Sequence, residues 1–241
     1  MAIARFAVPA LVAGLAVLGS AQIARADGMT PESSIVILPT DKASTSILVK
    51  NTGQTTDMLL VEILPIDEDT IEVASIDPAS GTTSVKPGQQ QKVTFTLLDE
   101  IRKTDVQRLR RVVFEGAKGK PKRAQKRNEV GVTVRQNLPL IIHPAGLELV
   151  RDPWKFLKWT VADGNLTVSN DSKYVVRLSQ EFESLPSNTV MGLSRSYVLP
   201  NQRLTIKLPP GAASDARVRI HPATVFGFQT DHFEAPVSRG N

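Results

Sequence analysis

The sequence predicts an all-β protein built from two immunoglobulin-like β-sandwich domains. Short apolar runs rich in β-branched residues recur along the chain with turn residues between them, while stretches with helical spacing are scarce. Several runs alternate apolar and polar residues, and a period of two puts one face of a strand against a core. There is no cysteine, so a disulfide framework is excluded and stability has to come from packed cores. The roughly 215 residues left after an N-terminal leader suit two domains of roughly 100 residues each.

Residues 1–26 read as a secretory signal peptide. Arg5 supplies the positive start, and Phe6 to Leu18 is an apolar run broken only by Pro9 and Gly14. Ala24-Arg25-Ala26 forms a small-residue cleavage site before Asp27. The run is shorter than the roughly 20 residues a bilayer needs, and no later stretch is long enough to span one. The expectation is therefore export without stable membrane insertion. Loss of the leader removes Arg5 and Arg25 and no acid, lowering the formal net charge from +5 to +3. That weak total says little about partners.

The strands follow in order. Ser34–Leu38 is the first and Ser44–Lys50 the second, closed by the turn Asn51-Thr52-Gly53. Met58–Leu64 is the third, with Met58, Leu60 and Glu62 alternating against Leu59, Val61 and Ile63. The acidic stretch 67–72 reads as a loop or edge. Pro87-Gly88 is a turn, after which Val93, Phe95 and Leu97 alternate with Thr94 and Thr96 over 91–97. Arg110–Glu115 is centred on Val112-Val113-Phe114. The loop Lys118–Arg127 then carries Lys118, Lys120, Lys122, Arg123, Lys126 and Arg127, and a long strand runs over 130–142.

His143-Pro144-Ala145-Gly146 breaks this pattern and marks a boundary between residues 27–143 and 144–241. Beyond it strands are expected at 158–161, 166–169, 175–182, 196–199, 203–208, 217–220 and 224–228. Asp163-Gly164-Asn165 is a hairpin signal between the first two. No internal sequence repeat stands out.

Catalytic chemistry finds no support. His143, His221 and His232 are far apart with no ligand at metal-site spacing, and absent cysteine rules out thiol nucleophiles and thiolate zinc sites. No serine sits in a G-x-S-x-G elbow and no glycine-rich phosphate loop occurs. The acidic groups at 67–69 and 99–100 read as solvated loops. The expectation is a protein that is not an enzyme and uses no metal or cofactor. The basic loop lacks interleaved aromatics, which argues against nucleic acid. Two readings of it stay open: a solvated loop, or one kept soluble so that the next strand can take up a partner.

That next strand is the most informative part of the chain. Val130, Val132 and Val134 share one parity with Gln136, Leu138, Leu140 and Ile142, while Gly131, Thr133, Arg135 and Asn137 occupy the other. Ser84 to Val93, with Pro87-Gly88 and Val93, resembles the "P-x-G-x-x-x-x-V" turn and strand of the PapD-like pilus chaperones. Arg110–Glu115 resembles that family's F1 strand. Val130–Pro144 resembles its G1 strand with the closing "L-x-x-x-P", and Leu166–Val176 resembles its "v-x-N-x-s-x-Y-y-v". The resemblance covers nearly all of 30–236.

The resemblance implies two immunoglobulin-like domains in a boomerang, a periplasmic location, and fimbrial or pilus subunits and an outer-membrane usher as partners. It also implies a mechanism: the G1 strand completes the sandwich of a subunit that lacks its own last strand. Carried over by position, the subunit-binding strand consists of Val130, Val132, Val134, Gln136 and Leu138, with Gln136 where a fourth apolar residue would be expected. The family's carboxylate-gripping Arg and Lys fall near Ser34 and at Pro139, which carry no charge. This places the chain nearer the archaic or alternative branch, with Arg110, Arg111 and Arg135 as candidate replacements. Arg110 and Arg111 are expected to point to opposite faces, so one of the pair serves. The alternative is an exported two-domain β adhesin or pilus subunit, which should open on an alternating donor extension; residues 27–33 contain none.

Overall fold

The computed structural model describes residues 28–78, 81–118, 134–224 and 231–240. Among these there is no α-helix, only strands and three short 3-10 turns. The strands form two sandwiches with separate cores.

The first domain holds β1 (Met29–Pro31), β2 (Val36–Pro39), β3 (Ser44–Asn51), β4 (Asp57–Leu64), β5 (Ala74–Asp77), β6 (Thr82–Val85), β7 (Gln90–Leu97), β8 (Arg108–Lys118) and β9 (Arg135–His143). One sheet runs β1-β3-β7-β5 and the other β2-β9-β8-β4-β6. The alternation seen in the sequence decides which side chains enter the gap: Ile47, Val49, Leu59, Val61, Val93, Phe95, Val112, Phe114, Leu140 and Ile142 are all buried there. The first strand changes sheets. β1 pairs antiparallel with β3, and after Ser33 and Ser34 the chain crosses so that β2 pairs parallel with β9. β2 therefore covers β9 only from Leu140 to His143.

The second domain holds β10 (Leu157–Ala162), β11 (Asn165–Asn170), β12 (Val176–Arg177), β13 (Glu181–Leu185), β14 (Thr189–Gly192), β15 (Tyr197–Val198), β16 (Gln202–Lys207), β17 (Arg217–Ile220) and β18 (Phe233–Arg239). Here β18 makes the crossing. Its first half pairs with β17 and its second half with β10, linking the two layers into one continuous order of seven strands. Trp159, Leu166, Val168, Phe182, Val218 and Ile220 fill the core, with the Trp159 and Phe182 rings 5.1 Å apart.

Both domains use the same polar device. Asn51 is fully buried at the end of β3 and donates its amide to the carbonyls of Thr55 and Val85, 2.8 Å each, while its Oδ1 accepts from Gly53 N–H. Asn170, fully buried at the end of β11, donates to the carbonyls of Tyr174 and Val198 and accepts from Ser172. Each fixes a turn to the opposite layer by satisfying buried carbonyls that water cannot reach.

Most expected strands are found within a residue or two of their places. The exceptions have physical causes. The run 175–182 is two strands: β12 pairs with β15, whereas β13 pairs with β14 and β17. Apolar content is continuous across the run, but the chain changes partners inside it. β1, β5, β6, β14 and β18 are short or polar and gave no clear alternation. The expected strand at 224–228 lies almost entirely outside the described residues, as do Val130 and Val132.

Candidate strand-docking edge and interdomain cleft

The open side of β9 follows from its register. β8 and β9 run antiparallel with Gly116 opposite Val134, and Gly116 N–H donates to the Val134 carbonyl. Even-numbered residues of β9 therefore direct their backbone groups at β8, and odd-numbered ones direct theirs away. Thr40 N–H donating to the His143 carbonyl on the β2 side fits this parity. From Arg135 to Pro139 no described strand pairs with the outward-facing groups. This is a sheet edge that another strand can extend.

Side chains on the edge divide by face. Val134, Gln136 and Leu138 point toward the gap between the sheets and are each partly exposed. Gly28 lies close to Val134: a Cβ built on Gly28 would stand 3.2 Å from the Val134 Cβ. Gln136 donates to the Met29 carbonyl at 3.1 Å, and Leu138 packs on the core. Gly116 leaves room for this, because a Cβ there would meet Met29 Cγ at 3.1 Å. Arg135 lies on the other face, exposed, 3.7 Å from Glu115.

The three candidate arginines occupy three environments. Arg110 points inward and is 1% exposed. Its guanidinium donates to Asp69 Oδ1 at 2.6 Å, to the Ile71 carbonyl at 2.7 Å and to the Leu109 carbonyl at 2.7 Å. Arg108 grips the same Asp69 in bidentate fashion. Burial alone would raise the Asp69 carboxyl, but hydrogen bonds from Arg110 and Arg108 outweigh it and hold Asp69 below its ordinary range. Arg110 is thus committed to pinning the 67–72 loop.

Arg111 faces the opposite way, toward the cleft between the domains. In the β8–β9 register it sits directly across from Pro139. Its Nε donates to Asn137 Oδ1 at 2.7 Å and its Nη2 to the Asn137 carbonyl at 2.8 Å. Across the cleft, β12 and β15 place Arg177 and Tyr197 side by side. Arg177 Nη1 is buried and has no hydrogen-bond partner among the described residues. Burial, and then the nearby charge of Arg111, depress the Arg177 guanidinium, and burial likewise depresses Arg111.

The cleft floor is tied together by both apolar and polar contacts. Ile35, Ile66, Leu109 and Ile141 pack with Val175 of the second domain. Gln107 spans the boundary: its N–H donates to the Lys173 carbonyl, its Oε1 accepts from Val175 N–H, and its Nε2 pairs with His143 Nδ1 at 2.9 Å. Tyr197 Oη donates to Glu68 Oε2 at 2.9 Å, and Arg195 pairs with the same carboxylate. Among the described residues no group of three metal-ligating side chains converges, and no helix is long and apolar enough to cross a membrane.

Residues 28–148 match the N-terminal domain of the PapD pili and flagellar-assembly chaperones, and residues 152–234 match the C-terminal domain of the PapD pili-assembly chaperones. The chain belongs to this chaperone family. It is 34% identical over 208 residues to a protein of Escherichia coli strain K12 named "Uncharacterized fimbrial chaperone YhcA", covering 86% of this chain and 90% of that one. Solved structures share the fold at low identity. The E. coli chaperone DraB has a TM-score of 0.66 at 16% identity, covering 87% of this chain and 98% of DraB. The Salmonella enterica SafA pilin complex with the SafB chaperone gives 0.68 at 14%, covering 88% and 97%. Pseudomonas aeruginosa CupB2 gives 0.65 at 18%, covering 86% and 100%. The two immunoglobulin-like domains expected from the sequence are thus those of a fimbrial chaperone.

Sequence reasoning missed two participants in the cleft. Asn137 was read only as a polar-face residue, yet both of its oxygens hold Arg111. Arg177 closes the motif Tyr174-Val175-Val176-Arg177, and nothing local marks it as facing another arginine. Its place beside Tyr197 emerges only when β12 and β15 pair.

Proposed function

We propose that this chaperone acts in the periplasm, without catalysis, by lending β9 and the segment before it to fimbrial or pilus subunits and passing them to an outer-membrane usher. Residues 27–143 form the strand-donating domain and 144–241 the second domain. The observation that carries this reading is the open edge of β9 from Arg135 to Pro139 beside inward-facing Val134, Gln136 and Leu138. An added strand gains main-chain hydrogen bonds there, and the side-chain row extended by Val130 and Val132 enters the partner's incomplete core.

Of the arginines proposed to hold the subunit's terminal carboxylate, Arg111 is favoured. It faces the cleft across from Pro139, where the family resemblance calls for a cation. Arg110 is spent on Asp69, and Arg135 stands on the exposed face beside Glu115. The test is recovery of co-expressed subunit from periplasm with Val132→Glu and Val134→Glu chaperones. Loss of subunit with retained chaperone fold is expected; undiminished subunit with both variants overturns the reading.

A further inference from the structure

We propose that Arg111 seals the open edge of β9 in the free chaperone, and that a chain-terminal carboxylate is what lifts the seal. The inference rests on β9 being the donor strand and adds a rule for which strands it accepts.

The geometry is specific to one place on the edge. Asn137 has odd parity, so its carbonyl faces the strand that would be added. Arg111 Nη2 already occupies that carbonyl at 2.8 Å, braced by Nε on Asn137 Oδ1 at 2.7 Å. Two residues on, Pro139 has no N–H. A strand added parallel to β9, in the sense β2 already takes on the same edge, would set one residue opposite Leu138. That residue would donate to Asn137 O and accept from the nitrogen of Pro139. The first group already accepts from Arg111, whose guanidinium stands on the side from which that strand must come, and the second lacks its hydrogen. An internal residue of a partner strand therefore gains at most a shared acceptor at this step, while it crowds Arg111 off Asn137.

A terminal carboxylate changes the balance. Arg111 holds two neutral acceptors, whereas a carboxylate brings a full opposite charge and two oxygens that fit the guanidinium fork in bidentate fashion. Arg177 adds to the pull, since its Nη1 is buried without a partner among the described residues and the charge of Arg111 acts on it. An anion between them relieves both. The two positive charges also choose the direction of the strand: they favour a carboxylate end over an ammonium end at the cleft, which is the parallel sense. The chaperone so distinguishes a subunit's last strand from a loose internal strand or from the edge of another copy of itself.

The test uses a synthetic peptide of roughly ten residues, alternating valine and serine, made with a free C-terminal carboxylate and again as the C-terminal amide. Both are titrated into the full mature chain, Arg111→Ala and Asn137→Ala. On the parent the acid should bind at least roughly tenfold more tightly than the amide. Arg111→Ala should bind the acid more weakly than the parent does and the amide more tightly, bringing the two within about twofold. Asn137→Ala, which loosens the seal and keeps the guanidinium, should bind both more tightly. A simple anchor would leave the amide unchanged in both variants, and that result overturns the seal. Equal binding of acid and amide to the parent overturns it while leaving the donor strand intact. Binding of neither peptide to any of the three proteins overturns the seal and the donor-strand reading together.

Discussion

Asp69→Ala tests the separation of structural from functional arginines most sharply. Asp69 accepts from Arg110 at 2.6 Å and from both ends of the Arg108 guanidinium at 2.8 Å. Arg110 is 1% exposed and cannot turn to solvent once the carboxylate is gone. Breaking a buried ion pair from one side costs about 3–5 kcal/mol. Arg110 keeps the Ile71 and Leu109 carbonyls, so the lower end, about 3 kcal/mol, is expected. With a urea m-value of about 2 kcal/mol/M for a domain of this size, the midpoint should fall by about 1.5 M. Urea unfolding followed by circular dichroism reads this directly. Asp69→Ala combined with Arg110→Met should recover part of the loss, because the orphaned charge leaves with its partner while the Ile71 and Leu109 carbonyls lose their donor. A midpoint shift under about 0.3 M, or a double variant as unstable as the single one, would refute the assignment of Arg110 to the fold.

Three further outcomes follow from the same contacts. Asn170→Ala strands the buried carbonyls of Tyr174 and Val198 and should cost about 2–4 kcal/mol in thermal or urea unfolding; a loss below about 1 kcal/mol would mean the turn is held by something else. Gln107→Leu removes the bridge to Val175 N–H and His143 and should loosen the domains against one another, read as faster amide exchange at Val175 with unchanged exchange in either core; unaltered exchange at Val175 would contradict the bridge. Asp69 titrates below the ordinary aspartate value of 3.8 in the folded state. Its stabilisation is therefore present above that value and is lost as pH falls through the lower folded value, so the stability difference between parent and Asp69→Asn should shrink on acidification below about pH 4. A constant difference across that window would contradict the sign.

Much of the fold was legible because burial in a sandwich imposes period two on long strands. β3, β4, β7 and β17 show it plainly, and the Pro87-Gly88 and Asp163-Gly164 turns separate strands in the expected places. β1 and β18 were not legible: β1 is three residues long and ends before the chain crosses to the other sheet, and β18 changes sheets partway and keeps no single face buried along its length. The pairing of Asn51 with Asn170 is a repeat of structure without a repeat of sequence, since each asparagine needs only a turn beside it and two carbonyls beneath. At the site, parity on β9 and the opposite facing of Arg110 and Arg111 were readable from alternation. Asn137 and Arg177 were not, because their roles depend on a side chain reaching across a strand and on two domains meeting. The arginine that faces the cleft was therefore named from sequence, but its partners were not.

Strand donation requires that β9 accept a partner strand along its open edge from Arg135 to Pro139. Amide hydrogen exchange of the purified chaperone, alone and as its co-purified subunit complex, tests this most directly. Arg135 and Asn137 direct their N–H groups to the open side, so their exchange should slow by at least roughly a hundredfold in the complex, while Gln136, already facing β8, changes little. Unchanged exchange at Arg135 and Asn137 in a complex that stays intact would show that the subunit is held elsewhere, and the account of strand donation would fail.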